Sequence, residues 1–123
     1  MAARKDRETS IPRLVQILAD SVAAQNEAIM AGDARTGNKH AKRYIGAWRR
    51  LRSYGNEGLE ALSELLDHSR PDVRATAAAF LLRYKTEEAL ATLREIAKGR
   101  GLAAFEASKA IKRWDEGEWH LDE

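Results

Sequence analysis

The sequence predicts an all-α protein, a short right-handed α-solenoid of six helices paired into three antiparallel hairpins. Three observations predict it. The second half of the chain is an imperfect duplication with a period of about thirty residues, the size expected of a helix pair. Leu62, Leu65 and Leu66 map onto Leu93, Ile96 and Ala97, while Ala77, Phe80, Leu81 and Tyr84 map onto Ala107, Ala110, Ile111 and Trp114. Apolar residues recur at three- and four-residue steps, as one side of a helix requires, and no strand-like alternation rises above that pattern. Ala and Leu are plentiful, Ile and Val are sparse, and there are 2 prolines. Each predicted hairpin has an apolar stripe that it cannot bury alone, so neighbours must stack.

The elements follow in order. Residues 1–8 are polar, charged and aperiodic, which predicts a flexible N-terminus. Thr9 or Ser10 caps the first helix, with Pro12 tolerated in its first turn because that N–H needs no partner. Its stripe is Ile11, Leu14, Val15, Leu18, Val22 and Ile29, and it ends near Gly32. Asp33 caps the second helix, whose inner stripe is Ala41, Tyr44, Ile45, Trp48 and Leu51. Tyr54-Gly55-Asn56 breaks that helix, and Asn56 caps a short third one carrying Leu59, Leu62, Leu65 and Leu66. Pro71 opens the fourth helix with Asp72 near its positive end, and Val73, Ala77, Phe80, Leu81 and Tyr84 are expected to face inward. Thr86 caps the fifth, with Leu90, Leu93, Ile96 and Ala97 as its stripe. Gly99-Arg100-Gly101 turns the chain into the sixth, where Leu102, Phe105, Ala107, Ile111 and Trp114 are the candidate core. The expected organisation is one helical domain over 9–114, followed by an acidic tail over 115–123.

Composition sets the function classes. The 123 residues suit a single domain, and 44% apolar with 33% charged residues is a globular balance. With no cysteine, disulfides, thiolate metal sites and a cysteine nucleophile are excluded. The charged start MAARKDRETS is unlike a signal peptide and no run reaches membrane-spanning length, so a cytoplasmic location is expected. Charge is unevenly spread: residues 1–56 carry +6 and residues 57–123 carry −4. Between Asp33 and Glu57 stand seven basic residues and no acidic one. This is the strongest anomaly in the chain.

Pro71-Asp72-Val73-Arg74, followed by Ala77-Ala78, resembles the start of the second helix in HEAT-like repeats, and the likeness extends over Leu59 to Trp114. Over a longer span the chain resembles a family of short bacterial proteins catalogued as a domain of unknown function. Gly32-Asp33 with Asn38, Tyr54 through Leu62, Pro71 to Arg74, Glu106-Ala107, and Trp114 with Gly117 carry that second likeness. The resemblance implies a HEAT-like helical fold and an immunity or antitoxin-like role in which the module occludes a partner toxin. Ala103-Ala104 stands where the repeat expects Val-Arg, so no role for that Arg carries over to the last unit.

The first candidate site is the basic stretch. Lys39, Lys42, Arg43, Arg49 and Arg50 fall mainly off the apolar stripe, where they can meet an acidic protein or nucleic-acid phosphates, or form a solvated face. Tyr44 and Trp48 lie on the stripe and suit the core better than base stacking. Arg74, Arg83, Lys109 and Arg113 are expected to extend the partner-binding surface; Arg50, Arg83 and Arg113 could equally complement helix C-termini. Asp72 and Arg74 read as a structural pair. Trp119 either covers the last hairpin beside Trp114 or anchors another chain, and the acidic tail around it offers a route to self-association.

No catalytic, cofactor-binding or metal-binding residue is assigned. His40, His68 and His120 show no ligand spacing, and neither a Gly-x-Ser-x-Gly elbow nor a Walker loop is present. The expected function is non-catalytic protein–protein binding, with nucleic-acid binding by the same basic face as the alternative.

Overall fold

The computed structural model describes residues 9–117, and every regular element among them is helical. In order these are α1 (Ile11–Met30), α2 (Ala34–Ser53), α3 (Asn56–Ser63) running into a 3-10 turn (Glu64–Asp67), α4 (Pro71–Leu81), α5 (Thr86–Ala97) and α6 (Leu102–Asp115). Contacts divide the chain into two compact units, 1–62 and 63–123.

In the first unit α1 and α2 pack against each other along their lengths. Ser10 caps α1, its hydroxyl accepting from the Arg13 N–H at 3.2 Å, with Pro12 in the first turn. Gly32, at φ 78°, takes the left-handed conformation that ends the helix, and the Asp33 N–H then returns to the Ala28 carbonyl at 2.8 Å. Gly37 is buried where α2 starts, and a Cβ added to it would lie 3.5 Å from Ile29 Cγ1. Leu14, Leu18 and Val22 of α1 are buried, as are Ala47, Trp48 and Leu51 of α2. Ile29, assigned to the stripe, is exposed instead, in the last turn of α1 beside Met30.

Gly55, at φ 70°, reverses the chain after α2, and its carbonyl accepts the first α3 bond, from Leu59 N–H at 3.1 Å. The helix therefore begins at Asn56, which does not cap it. The residue that matters next is Gly58. It lies so near the carbonyl of Leu51 that a Cβ would overlap it, sitting 2.7 Å from the carbonyl carbon.

In the second unit α4 packs on α5 and α6, which also pack on each other. Ala77, Ala78 and Leu81 of α4, Ala89 and Leu93 of α5 and Ala107 of α6 are fully buried. The two halves of the duplication repeat their burial at Leu62 and Leu93, Leu65 and Ile96, and Ala77 and Ala107.

Three expectations here need correction. Tyr84 lies past the end of α4 and is exposed, so it does not face inward. Thr86 does not cap α5: it is the first helical residue, and its hydroxyl donates back to the Leu82 carbonyl at 2.7 Å. Phe105 is not core but 58% exposed. The buried side of α6 is lined by Ala104 and Ala107, with Ile111 and Trp114 half-buried.

Candidate functional site

Helix α2 is long because nothing in it interrupts helical propensity except glycine, and because Asp33 closes its N-terminus. The Asp33 carboxylate accepts from the Thr36 N–H at 3.1 Å and from the Thr36 hydroxyl at 2.7 Å. These bonds, the hydroxyl first, hold the Asp33 carboxyl below the usual carboxylate range, with the charge of Lys39 acting the same way. At the other end Arg50 and Arg52 lie in the last turn, where the helix dipole favours cations.

With Ala47, Trp48 and Leu51 buried, the opposite side of α2 is fixed by helical geometry. Arg35, Lys39, Lys42 and Arg49 follow one another along it at steps of three or four residues, or of seven where Gly46 intervenes. Arg43 and Arg50 flank that line. Arg35, Lys39, Lys42, Arg43 and Arg49 are exposed and Arg50 is half-buried. Among the described residues, no carboxylate lies within ion-pair distance of Arg35, Lys42, Arg43 or Arg49. Arg52 falls on the other side, its guanidinium carbon 5.7 Å from the centroid of the buried Trp48 ring. The neighbouring helix α1 exposes Arg13, Asp20 and Glu27.

The rest of the sequence-derived surface behaves differently. Arg74, Arg83, Lys109 and Arg113 belong to the second unit. Arg74 is half-buried, and its Nη1 donates to the carbonyls of His68 at 2.7 Å and Ser69 at 3.3 Å, pinning the turn before α4. The expected Asp72–Arg74 pair is replaced by Arg70. Its Nε and Nη2 donate to the two Asp72 oxygens at 3.0 and 2.9 Å, because Arg70, just ahead of the helix, meets the carboxylate side by side. His68 Nδ1 accepts from the Arg70 N–H at 3.0 Å and serves the same turn. Lys109 lies 3.9 Å from Glu106 Oε2 and 5.2 Å from the Phe105 ring centroid, so its charge is engaged along its own helix. Arg83 and Arg113 are exposed. Trp119 lies outside the described residues.

The sequence placed Phe105 in the core rather than in solvent, and it did not single out the gap at Gly46. For Gly46 a signal existed: a glycine in mid-helix with basic residues three and four positions away on either side.

The sequence matches no protein-family model and no curated protein. The geometry defines an all-α protein with a cationic helix face. The chain is similar in structure to the protein RPA1889 from Rhodopseudomonas palustris CGA009, whose crystal structure superposes with a TM-score of 0.86. The match covers 92% of this chain and 94% of that chain, at 19% sequence identity. A likeness at that identity shows the fold. No described helix is long and apolar enough to cross a membrane.

Proposed function

We propose that the protein is a non-catalytic protein-binding module, and that the exposed side of α2 is its principal binding face. In this reading the six helices form three antiparallel hairpins of a short HEAT-like solenoid, and the partner is an acidic protein. An immunity or antitoxin-like role, with the module covering a toxin, is its most concrete form. The observation that carries the reading is the set of exposed cations Arg35, Lys42, Arg43 and Arg49 on α2, with no carboxylate within ion-pair distance among the described residues. A cation left without a partner along one face costs like-charge repulsion, which an acidic partner relieves while steering its own approach.

Nucleic acid is the second reading for the same cations. It is supported less well, because α2 offers no exposed ring for a base: Trp48 is buried and Tyr44 half-buried. The test is affinity capture from cells expressing the neighbouring genes, with wild type beside an Arg43→Glu/Arg49→Glu variant. A specific protein retained by wild type and lost by the variant is the expected result. Retention of the same protein by both would overturn the assignment of the face.

A further inference from the structure

The centre of the basic strip is a glycine that nothing among the described residues explains. Gly46 lies in the interior of α2, where glycine weakens a helix relative to alanine. Two internal reasons would justify it, and neither applies. Its backbone is not left-handed, unlike that of Gly32, Gly55, Gly101 and Gly117. No neighbouring atom needs the space either, since among the described residues nothing beyond the helix's own local backbone and the chain neighbours lies within 4 Å of the position a Cβ would take. Gly58 shows the contrast, because there the backbone of Leu51 fills the place.

Around that gap the cations are arranged symmetrically. Lys42 and Arg43 lie four and three residues before Gly46, and Arg49 and Arg50 lie three and four after it. On a helix these offsets are the nearest neighbours along the same face, about 5–6 Å away between Cβ atoms. The result is a bare patch of backbone with basic side chains one turn above and one turn below. Small residues let two helix axes approach closely, since the interaxial distance is set by the side chains at the crossing point.

We propose that Gly46 is the crossing point for an acidic helix of the partner protein, with carboxylates on either side of the crossing held by Lys42, Arg43, Arg49 and Arg50. This rests on the protein-binding reading above and names the element that the face receives. A helix fits better than an extended polyanion because a close approach is useful at one point, Gly46, rather than along the whole face. Carboxylates three, four or seven residues apart on the incoming helix share one side and match the spacing of the cations.

The test uses the full chain and two probes, read by fluorescence anisotropy at about 50 mM salt, where charge attraction is strong. One probe is an alanine-based peptide of about 20 residues, long enough to be helical, with Glu at three- and four-residue steps. The other is a DNA duplex of matched length. Wild type is expected to bind the peptide more tightly than the duplex. Gly46→Leu is expected to weaken peptide binding about tenfold or more, a loss typical of an obstructed contact. Gly46→Ala is expected to weaken it less while raising the Tm, which keeps the test open should the leucine variant misfold. Lys42→Glu/Arg49→Glu is expected to remove peptide binding.

The failures are distinguishable. If charge reversal removes binding but both Gly46 variants bind as wild type does, the face stands and the crossing is wrong. If peptide binding survives the reversal, or is absent in wild type, the face itself is wrong. Tighter binding to the duplex overturns the acidic helix as occupant. A Tm lowered by Gly46→Ala gives the glycine an internal role and removes the argument.

Discussion

At Gly58 a methyl group has nowhere to go. The carbonyl of Leu51 occupies the place, and both atoms belong to backbone that side-chain rotation cannot move. Gly58→Ala is therefore expected to destabilise the fold by about 1–3 kcal/mol, the usual cost of overpacking, measured as a lower urea midpoint. A variant as stable as wild type would mean that the turn at 54–55 yields easily. Gly46→Ala should do the opposite, so two identical substitutions in helices of one unit separate a structural glycine from one with no internal role. Neither was legible from residue identity alone. Both positions read as glycine in a helical pattern, and which one touches backbone depends on how the chain reverses at Gly55.

At the scale of one helix, capping and burial make separate predictions. Asp33 holds the start of α2, and its carboxyl is lowered chiefly by the Thr36 hydroxyl bond. A carboxyl whose folded pKa lies below its unfolded value of 3.8 adds stability above that value and loses it as the pH falls through the folded one. Asp33→Ala is thus expected to lower the Tm at neutral pH, with the difference from wild type shrinking below the carboxylate range. A difference unchanged at low pH would show that the ionised cap is not the source. In α5 and α6 the contrast is between a fully buried leucine and an exposed phenylalanine. Leu93→Ala should cost about 2–5 kcal/mol as a core truncation. Phe105→Ala should stay within about 0.5 kcal/mol, and a larger loss in denaturant melts would place that ring inside. Periodicity located the buried faces of α1, α2, α4 and α5 because leucine, valine and tryptophan mark them plainly. On α6 it found Ala107 but erred at Phe105, because the inner face is mostly alanine and the larger ring drew the assignment toward the solvent side. The cap at Asp33 was read correctly, and of the two candidates Thr9 and Ser10 it is Ser10 that caps α1. Thr86 misled because its hydroxyl turns back to a carbonyl of the preceding turn rather than forward to an N–H.

For the whole chain, composition and period established an all-helical protein, and the duplication foretold matching burial at Leu62 and Leu93 and at Ala77 and Ala107. The candidate face was legible in part. Its cations were visible as a run of basic residues without acids, and the helical period placed them away from Trp48 and Leu51. The bonds of Arg74 to two backbone carbonyls were not legible, because such an arginine looks in sequence like any exposed one. The charge asymmetry between residues 1–56 and 57–123 also has a consequence at this scale. Binding of an acidic probe should weaken steeply as salt rises, since exposed charges separated by more than about 8–10 Å are screened at physiological ionic strength. Melting temperatures of Lys42, Arg43 and Arg49 charge-reversal variants should meanwhile change little, because among the described residues no carboxylate pairs with those side chains.

Mapping by nuclear magnetic resonance reaches the central claim most directly. With labelled protein and the Glu-rich helical peptide at low salt, amide shifts should move at Lys39, Lys42, Arg43, Gly46 and Arg49, with Gly46 among the largest, and stay unchanged at Leu93 and Ala107. Shifts centred on Phe105 and α6, with α2 silent, would contradict the account.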